Sequence, residues 1–383
     1  MPSYPLKYQI CRLCVMDTSD PLIEFDATGE CNHCRAYRDT VFQLPRFQPG
    51  ADEKLAGIVA KIRARKIEKY DCVIGVSGGV DSTYLAYYVK RVLGLNPLAV
   101  HLDNGWNSEL AVANIERMLV ALSIDLHTEV LDWREFSALQ LAFLKASTPD
   151  SEIPTDHAIL SVLYQVANSK KISTILLGVN LVTESVHPRM WSYGHQDWIY
   201  IKALQKRFGA VRLRHFPHTS MWKYFYLFQI RKLQVVRLYD YIAFDRAGVE
   251  ALIARELGWM PYGGKHYESV YTRFFQGYLL PRKFGFDKRR AHLSSLVCAG
   301  QMTRDEAMRA LQQPSLDPAE EQPLLDYVAK KLRIARSELD AICQAPPRTY
   351  KDYPSSENSI LVKLTKRIYK ALGGRIIRDG VRL

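Results

Sequence analysis

The stretch from Ser77 to Ser82, SGGVDS, gathers groups that suit a phosphate. Gly78 and Gly79 let the backbone pass close to an anion, Ser77 and Ser82 offer hydroxyls, and a helix beginning near Asp81 would aim its unpaired amides at the charge. Asp81 is the odd member, because a carboxylate repels phosphates unless it holds a bridging Mg²⁺. No lysine follows the glycines, so the loop is not built as those for γ-phosphoryl transfer are. An ordinary strand-to-helix glycine turn is the bland alternative, and it leaves both serines and the aspartate unexplained.

A second constellation is Cys11, Cys14, Cys31 and Cys34, spaced C-x2-C-x16-C-x2-C. Two such pairs on tight turns place four thiolates at tetrahedral corners, which suits structural zinc, with an iron–sulfur cluster as the alternative. Four thiolates leave no open position on the ion, so this module would organise structure and do no chemistry. His33, inside the second pair, is read as a bystander. The other cysteines, Cys72, Cys298 and Cys343, are solitary, and a split of four clustered against three single residues is metal spacing in a reducing compartment and not a disulfide framework.

The elements that must position these groups alternate. Residues 51–69 read as a charged helix, CVIGV as a buried strand, 81–93 as a helix, PLAVHL as a strand, and a helix follows from about Ser108. DLHTEV, helices from about Trp133 and Asp156, and the run TILLGV continue the pattern. Repeated β-α units imply an α/β fold with a doubly wound parallel sheet. Ligands of such sheets sit beyond the carboxyl ends of the strands, which points to Ser77, Asp103 and Gly178 together. The expected organisation is a zinc module over 1–45, the sheet domain with its substrate segment over 46–300, and a helical region over 301–383. Thr303 and Glu306 have capping-box spacing. MWKYFYLFQIRKLQVVRLYDYIAF reads as one buried amphipathic helix, and the basic segment from Ile360 as a packed or partner-docking helix with membrane-surface binding as the alternative.

With these residues in view, SGGVDS resembles the pyrophosphate loop of the ATP pyrophosphatase superfamily, whose members include nucleotide-binding domains of GMP, NAD and asparagine synthetases. The resemblance implies cleavage of ATP to AMP and pyrophosphate, with Ser77, Gly78, Gly79, Asp81 and Ser82 at the pyrophosphate. HLDNGW is similar to the acidic end of the second strand, which brings in Asp103, and LLGVNLVTES brings in Gly178, Asn180 and Glu184, the last as a second Mg²⁺ ligand beside Asp81. A narrower resemblance runs through CRLCVMDT, CNHC, SGGVDS, KHYESVYTRFFQGYLLPRKFGFDKRRAHLSSL and GQMTRDEA, to the N-acetyl sugar amidotransferases of lipopolysaccharide and flagellin-sugar pathways. It implies conversion of an N-acetyl group on a nucleotide-linked sugar into an acetamidino group, with ammonia from a separate glutaminase and a cyclase-like subunit similar to the pair in histidine biosynthesis.

Residue chemistry agrees with that scheme. An amide carbonyl is a feeble electrophile; transfer of AMP to its oxygen makes an imidate that ammonia can attack, and catalysis then rests on positioning and charge stabilisation. Lys265 and Arg273 are candidate catalytic cations beside Asp81, and Lys283, Lys288, Arg289 and Arg290 candidate ligands of polyphosphate or sugar-linked anions. By the bland reading the DKRR run is a solvated face. Trp191, Tyr193 and Trp198 could stack on a sugar or base, or simply pack the interior. The chain begins Met1, Pro2 and has no G-x-C-x-G elbow, so its own ammonia source is not expected and a glutaminase partner is.

The net charge of +12 over 383 residues fits anionic partners without choosing among them. No stretch nears the ~18 uninterrupted apolar residues of a membrane span, and a cytoplasmic enzyme is expected. Two rivals remain. Transfer-RNA thiolation enzymes also join CxxC pairs to such a loop, but the reactive cysteines they need are missing here; a non-catalytic zinc-ribbon nucleic-acid binder leaves SGGVDS unexplained.

Overall fold

The computed structural model describes residues 7–262 and 268–359, together with the backbone of 377–378 and 381–382. Lys265 and the basic segment from Ile360 therefore lie outside the described residues. After α1 (Asn32–Val41) in the cysteine module and α2 (Ala51–Ala64), strands and helices alternate as β1 (Cys72–Gly75), α3 (Val80–Tyr87), β2 (Pro97–Asp103), α4 (Glu109–Leu122) and β3 (Asp125–Val130). Helices α5 (Trp133–Ala146) and α6 (Ile153–Ser169) lead to β4 (Thr174–Leu177), then α7 (Leu181–Glu184), α8 (Trp198–Phe208), α9 (Met221–Phe225) and β5 (Gln234–Arg237). The remainder is helical: α10 (Arg246–Leu257), α11 (Val270–Phe274), α12 (Arg289–Cys298), α13 (Arg304–Gln312), α14 (Pro318–Leu332) and α15 (Arg336–Gln344).

The five strands pair in parallel in the order β3-β2-β1-β4-β5. A strand covered on both faces must be apolar throughout, and β1 shows why CVIG suits that place. Cys72 and Ile74 point into one core with α2, α3, α4 and α10, whereas Val73 points into the other with α6. At the edge, β3 carries Asp125, His127 and Glu129, all at least partly exposed, which discourages pairing with another chain. The chain winds outward in both directions from β1, so β1 and β4 flank the switch point where such sheets bind ligands.

A third apolar cluster contains Cys11 and Tyr37, Phe136 and Tyr200, and Leu325 and Tyr353, so the cysteine module, the sheet region and the C-terminal helices share one interior. Thr303 and Glu306 form the expected capping box on α13. The segment MWKYFYLFQIRKLQVVRLYDYIAF is not one helix, as its apolar periodicity suggested. It forms α9 and a wide turn over 226–230, then β5. Lys232 breaks the helix in a left-handed conformation at φ 53°. The β-branched pair Val235–Val236 then adds to the open edge of β4, where Gln234 N–H donates to Ser173 O at 2.9 Å. Among the described residues no helix is long and apolar enough to cross a membrane.

Candidate active site

A cleft of about 740 Å³ opens at the carboxyl ends of β1, β2 and β4. Its floor is the turn between β1 and α3. Val76 N–H extends the strand ladder to Val100 O at 2.9 Å, and Gly78 then reverses the chain at φ 82°. The turn is pinned from behind, because Trp259 Nε1 and Tyr262 OH both donate to Gly78 O, at 2.8 and 2.7 Å. A side chain at Gly78 would meet the backbone of α4, its Cβ standing 2.5 Å from Ala111 O. In front, Ser77 N–H donates to Ser82 Oγ at 3.2 Å and the two hydroxyls lie 3.2 Å apart. Gly79 opens the first turn of α3 and Asp81 follows within it. Gly178 closes over this turn, its Cβ position only 3.4 Å from Asp81 O.

The structure thus brings Ser77, Gly79, Asp81, Ser82, Gly178, Glu184 and Lys288 to one cleft, with Gly78 as its backing. It does not bring Asp103 there. That carboxylate accepts from Gly105 N–H at 2.8 Å and closes the turn after β2. The other basic residues are held elsewhere. Arg273 pairs with Glu320. Lys283 donates to Ser147 Oγ at 3.0 Å and to Ile342 O, and its burial lowers its pKa. Arg289 pairs with Asp287 at 2.6 Å and donates to Gln313 O at 2.9 Å. Arg290 reaches the cysteine module, pairing with Asp17 at 3.0 Å and donating to Val15 O at 2.8 Å. Trp191, Tyr193 and Trp198 face internal rings: Trp191 stacks on Phe286, Tyr193 on Tyr350 and Trp198 on His218.

Several lining residues escaped the sequence. Among the described lining residues the cleft has six carboxylates, Asp81, Glu152, Asp156, Glu184, Glu250 and Glu268, against two cations, Arg246 and Lys288. Glu152 is held by Thr272 Oγ1 and by Gln276 Nε2 at 3.1 Å. Asp156 opens onto the cleft from the first turns of α6. Its side chain is exposed to the cleft, and the surrounding protein atoms, with Asp150 and Glu152 nearby, raise its pKa against the pull of Lys288. His101 is buried between Val76 O, 3.0 Å from its Nδ1, and Asn107 Nδ2, 3.1 Å from its Nε2. An imidazole within the otherwise apolar PLAVHL was the available signal; Glu152 and Asp156 gave none, since the start of an amphipathic helix is commonly acidic.

The cysteine module fits a tetrahedral ion. Bonds of about 2.3 Å to four sulfurs require edges of about 3.8 Å; the observed separations are 3.8 Å for Cys11–Cys34 and 3.7 Å for Cys14–Cys31 and Cys31–Cys34. All four are buried, and N–H groups of Cys14, Met16 and Cys31 point at sulfurs at 3.5, 3.4 and 3.3 Å, the outer-shell bonding a thiolate site needs. Cys298 adds a fifth sulfur, 3.8 Å from Cys34 Sγ. His33 is fixed by Asp20 at 2.7 Å and stays out of the cluster. Asp132, Glu135 and His215 also converge, yet Glu135 already accepts from the N–H groups of Arg214, His215 and Phe216, an anion's environment that disfavours a cation.

With this geometry in place, comparisons with known proteins add two findings. Residues 268–369 match the family described as "LPS biosynthesis protein WbpG-like, C-terminal domain". A 74-residue segment is 34% identical to a glutamine-hydrolysing GMP synthase of Pyrobaculum aerophilum, covering 19% of this chain and 14% of that protein. The chain is therefore similar to the WbpG-like lipopolysaccharide-biosynthesis family over its C-terminal part and, over a short segment, to a glutamine-hydrolysing GMP synthase.

Proposed function

We propose that the protein is an ATP-dependent, AMP-forming amidine synthase acting on the N-acetyl group of a nucleotide-linked sugar in the assembly of a surface polysaccharide. The observation that carries this reading is the SGGVDS turn, set at the switch point of a parallel sheet with Asp81 and Glu184 on the same cleft. In this reading the amides of the first turn of α3, with Ser77 and Ser82, hold the pyrophosphate, and Asp81 and Glu184 hold Mg²⁺, which supplies charge neutralisation when bound. An ATP site whose acidic side chains outnumber its cations, even with the Asp156 carboxyl protonated, needs such an ion to offset repulsion. Lys288 is the member of the DKRR run that this reading keeps at the phosphates.

The chemistry then balances without an oxidant. The amide oxygen attacks the α-phosphorus and the bond to the bridging oxygen breaks, releasing pyrophosphate. Ammonia adds to the imidate carbon, the carbon–oxygen bond to AMP breaks, and the proton lost by the nitrogen leaves through a cleft carboxylate. Ammonia would come from a glutaminase partner with a cyclase-like subunit, and a structural zinc would occupy the four cysteines.

The transfer-RNA reading loses support because the cysteines outside the cluster are poor nucleophiles: Cys72 is wholly buried in β1, its pKa raised by burial, burial holds Cys343 up at about 11, and Cys298 abuts the cysteine module. The test is product analysis with ATP, Mg²⁺ and ammonium, offering either a nucleotide-linked diacetamido uronic acid or bulk transfer RNA. AMP and a sugar about one mass unit lighter support the proposal; AMP formed only with RNA overturns it.

A further inference from the structure

We infer that the four-cysteine module is a brace for the active-site cleft, transmitting the order of its metal site to residues 178–186 through Tyr37 and α12. The inference takes the cleft to be the nucleotide site, as proposed above, but its primary readout does not depend on any reaction.

Residues 178–186 form one wall of the cleft, contributing Gly178, Val179 and Glu184. A connection of this kind, with only the short helix α7 inside it, has little order of its own and must be held by its surroundings. Three side chains from two other elements hold its backbone. Tyr37 OH, on α1 directly after the second cysteine pair, donates to Val182 O at 3.0 Å. His292 Nδ1, on α12, donates to Thr183 O at 3.2 Å, and Ser295 Oγ accepts from Val186 N–H at 3.1 Å. Tyr37 and Ser295 are buried, so losing either leaves a backbone group unpaired in an apolar setting.

Helix α12 is in turn tied to the metal module along its length. Ser294 Oγ accepts from Val15 N–H at 3.2 Å, Arg290 holds Val15 O and Asp17, and Cys298 Sγ touches Cys34 Sγ. Just beyond the helix, Arg304 donates to the carbonyls of Cys11 and Cys14, at 3.0 and 3.1 Å. One helix therefore bonds the cysteine loop on one side and the cleft wall on the other, and its N-cap residue Lys288 lines the cleft itself. Four buried thiols without an ion have no reason to stay converged. Their release would free the 11–17 loop and α1, and with them the bond from Tyr37. The basic and serine residues of DKRRAHLSSL thereby gain a role as positioning residues: Arg290, His292, Ser294 and Ser295 act through the wall that carries Glu184.

Amide hydrogen exchange on the full chain tests this, comparing zinc-loaded protein, protein stripped with a chelator, and the zinc-loaded variants Tyr37→Phe and Ser295→Ala. β1 and β2 serve as internal controls for global unfolding. In the stripped protein, exchange over 178–186 should rise together with that over 7–42 while β1 and β2 stay protected. Tyr37→Phe should retain its zinc yet raise exchange over 182–186 by about 5- to 10-fold, the loss of one buried hydrogen bond, and raise the KM for Mg·ATP more than it lowers kcat. Exchange that rises over 7–42 alone, with 178–186 unchanged in the stripped protein and in both variants, would overturn the inference and make the module an independent appendage. Absence of AMP formation from every sugar would instead count against the proposed reaction, leaving the exchange result standing.

Discussion

Replacing Gly78 by alanine should damage the fold, whereas the same change at its neighbour Gly79 should damage ligand binding alone. At Gly78 the backbone sits at φ 82°, which costs an L-residue about 1 kcal/mol. The new methyl would stand 2.5 Å from Ala111 O, a backbone atom of α4 with no freedom to swing aside. Relief means moving the turn away from α4, and that stretches the bonds from Trp259 and Tyr262 to Gly78 O, each worth about 1 kcal/mol. The sum is ~3 kcal/mol, read as a fall in Tm of about 5 °C. Gly79 has no such constraint: its φ is −70°, and a Cβ would make ordinary contacts with Ser77 Oγ at 3.4 Å and Glu268 Oε1 at 3.7 Å. Gly79→Ala should therefore stay within about 1 kcal/mol of wild type while the methyl, in the mouth of the turn, weakens ATP binding. Thermal denaturation of both variants, with Mg·ATP binding by calorimetry, decides the matter. Equal melting losses, or a Gly78→Ala protein that melts with the wild type, would refute the reasoning.

Three further outcomes follow from the site and its surroundings. Asp81→Asn should keep the wild-type Tm and zinc content but lower AMP formation by about 100-fold or more, since it removes the carboxylate assigned to Mg²⁺; a steady-state AMP assay checks this. Asp156 is solvent-exposed at the cleft, so although its surroundings raise its pKa, its ionisation should weigh little on folding: Asp156→Asn should shift Tm by less than about 1 °C between pH 4 and 8. Burial lowers the pKa of His157 from 6.5 to about 4, so its contribution to stability is full above pH 6.5 and is lost as pH falls towards 4, worth ~3 kcal/mol in all, measurable by denaturant melts across that range.

The alternating units, the turn at SGGVDS and the four-sulfur cluster were legible because each is encoded locally: apolar runs bounded by turns, a glycine pair, two CxxC pairs. The fifth strand was not, because QVVR is too short to compete with the helical periodicity around it, and its place is set by the open edge of β4. The basic residues were misplaced for a related reason. Spacing marks Lys283, Arg289 and Arg290 as a cationic run, but Lys283 finds Ile342 O 59 positions away, Arg290 finds Val15 O 275 positions away and Arg289 finds Asp287 and Gln313 O, and only the tertiary fold shows that Lys288 alone of the run DKRR reaches the cleft. Glu152 and Asp156 read as an ordinary helix start until α6 is seen to point that end at the site.

The net charge of +12 does not extend into the cleft, where acidic side chains outnumber basic ones among the described lining residues. Arg290, Arg289, Arg273 and Arg304 are occupied in holding carbonyls and carboxylates of the cysteine module and the C-terminal helices. These four are held away from the cleft, so they do not set its field, which comes from the charged groups that line it. Such a site binds a nucleotide in proportion to the divalent cation it can recruit. ATP affinity should then fall steeply when Mg²⁺ is withdrawn and change little between low and moderate NaCl, the reverse of a surface that binds polyanions by counterion release. A dissociation constant for ATP that ignored Mg²⁺ and weakened about 10-fold or more between 50 and 200 mM salt would mean that exposed cations, and not the cleft carboxylates with their metal, do the binding.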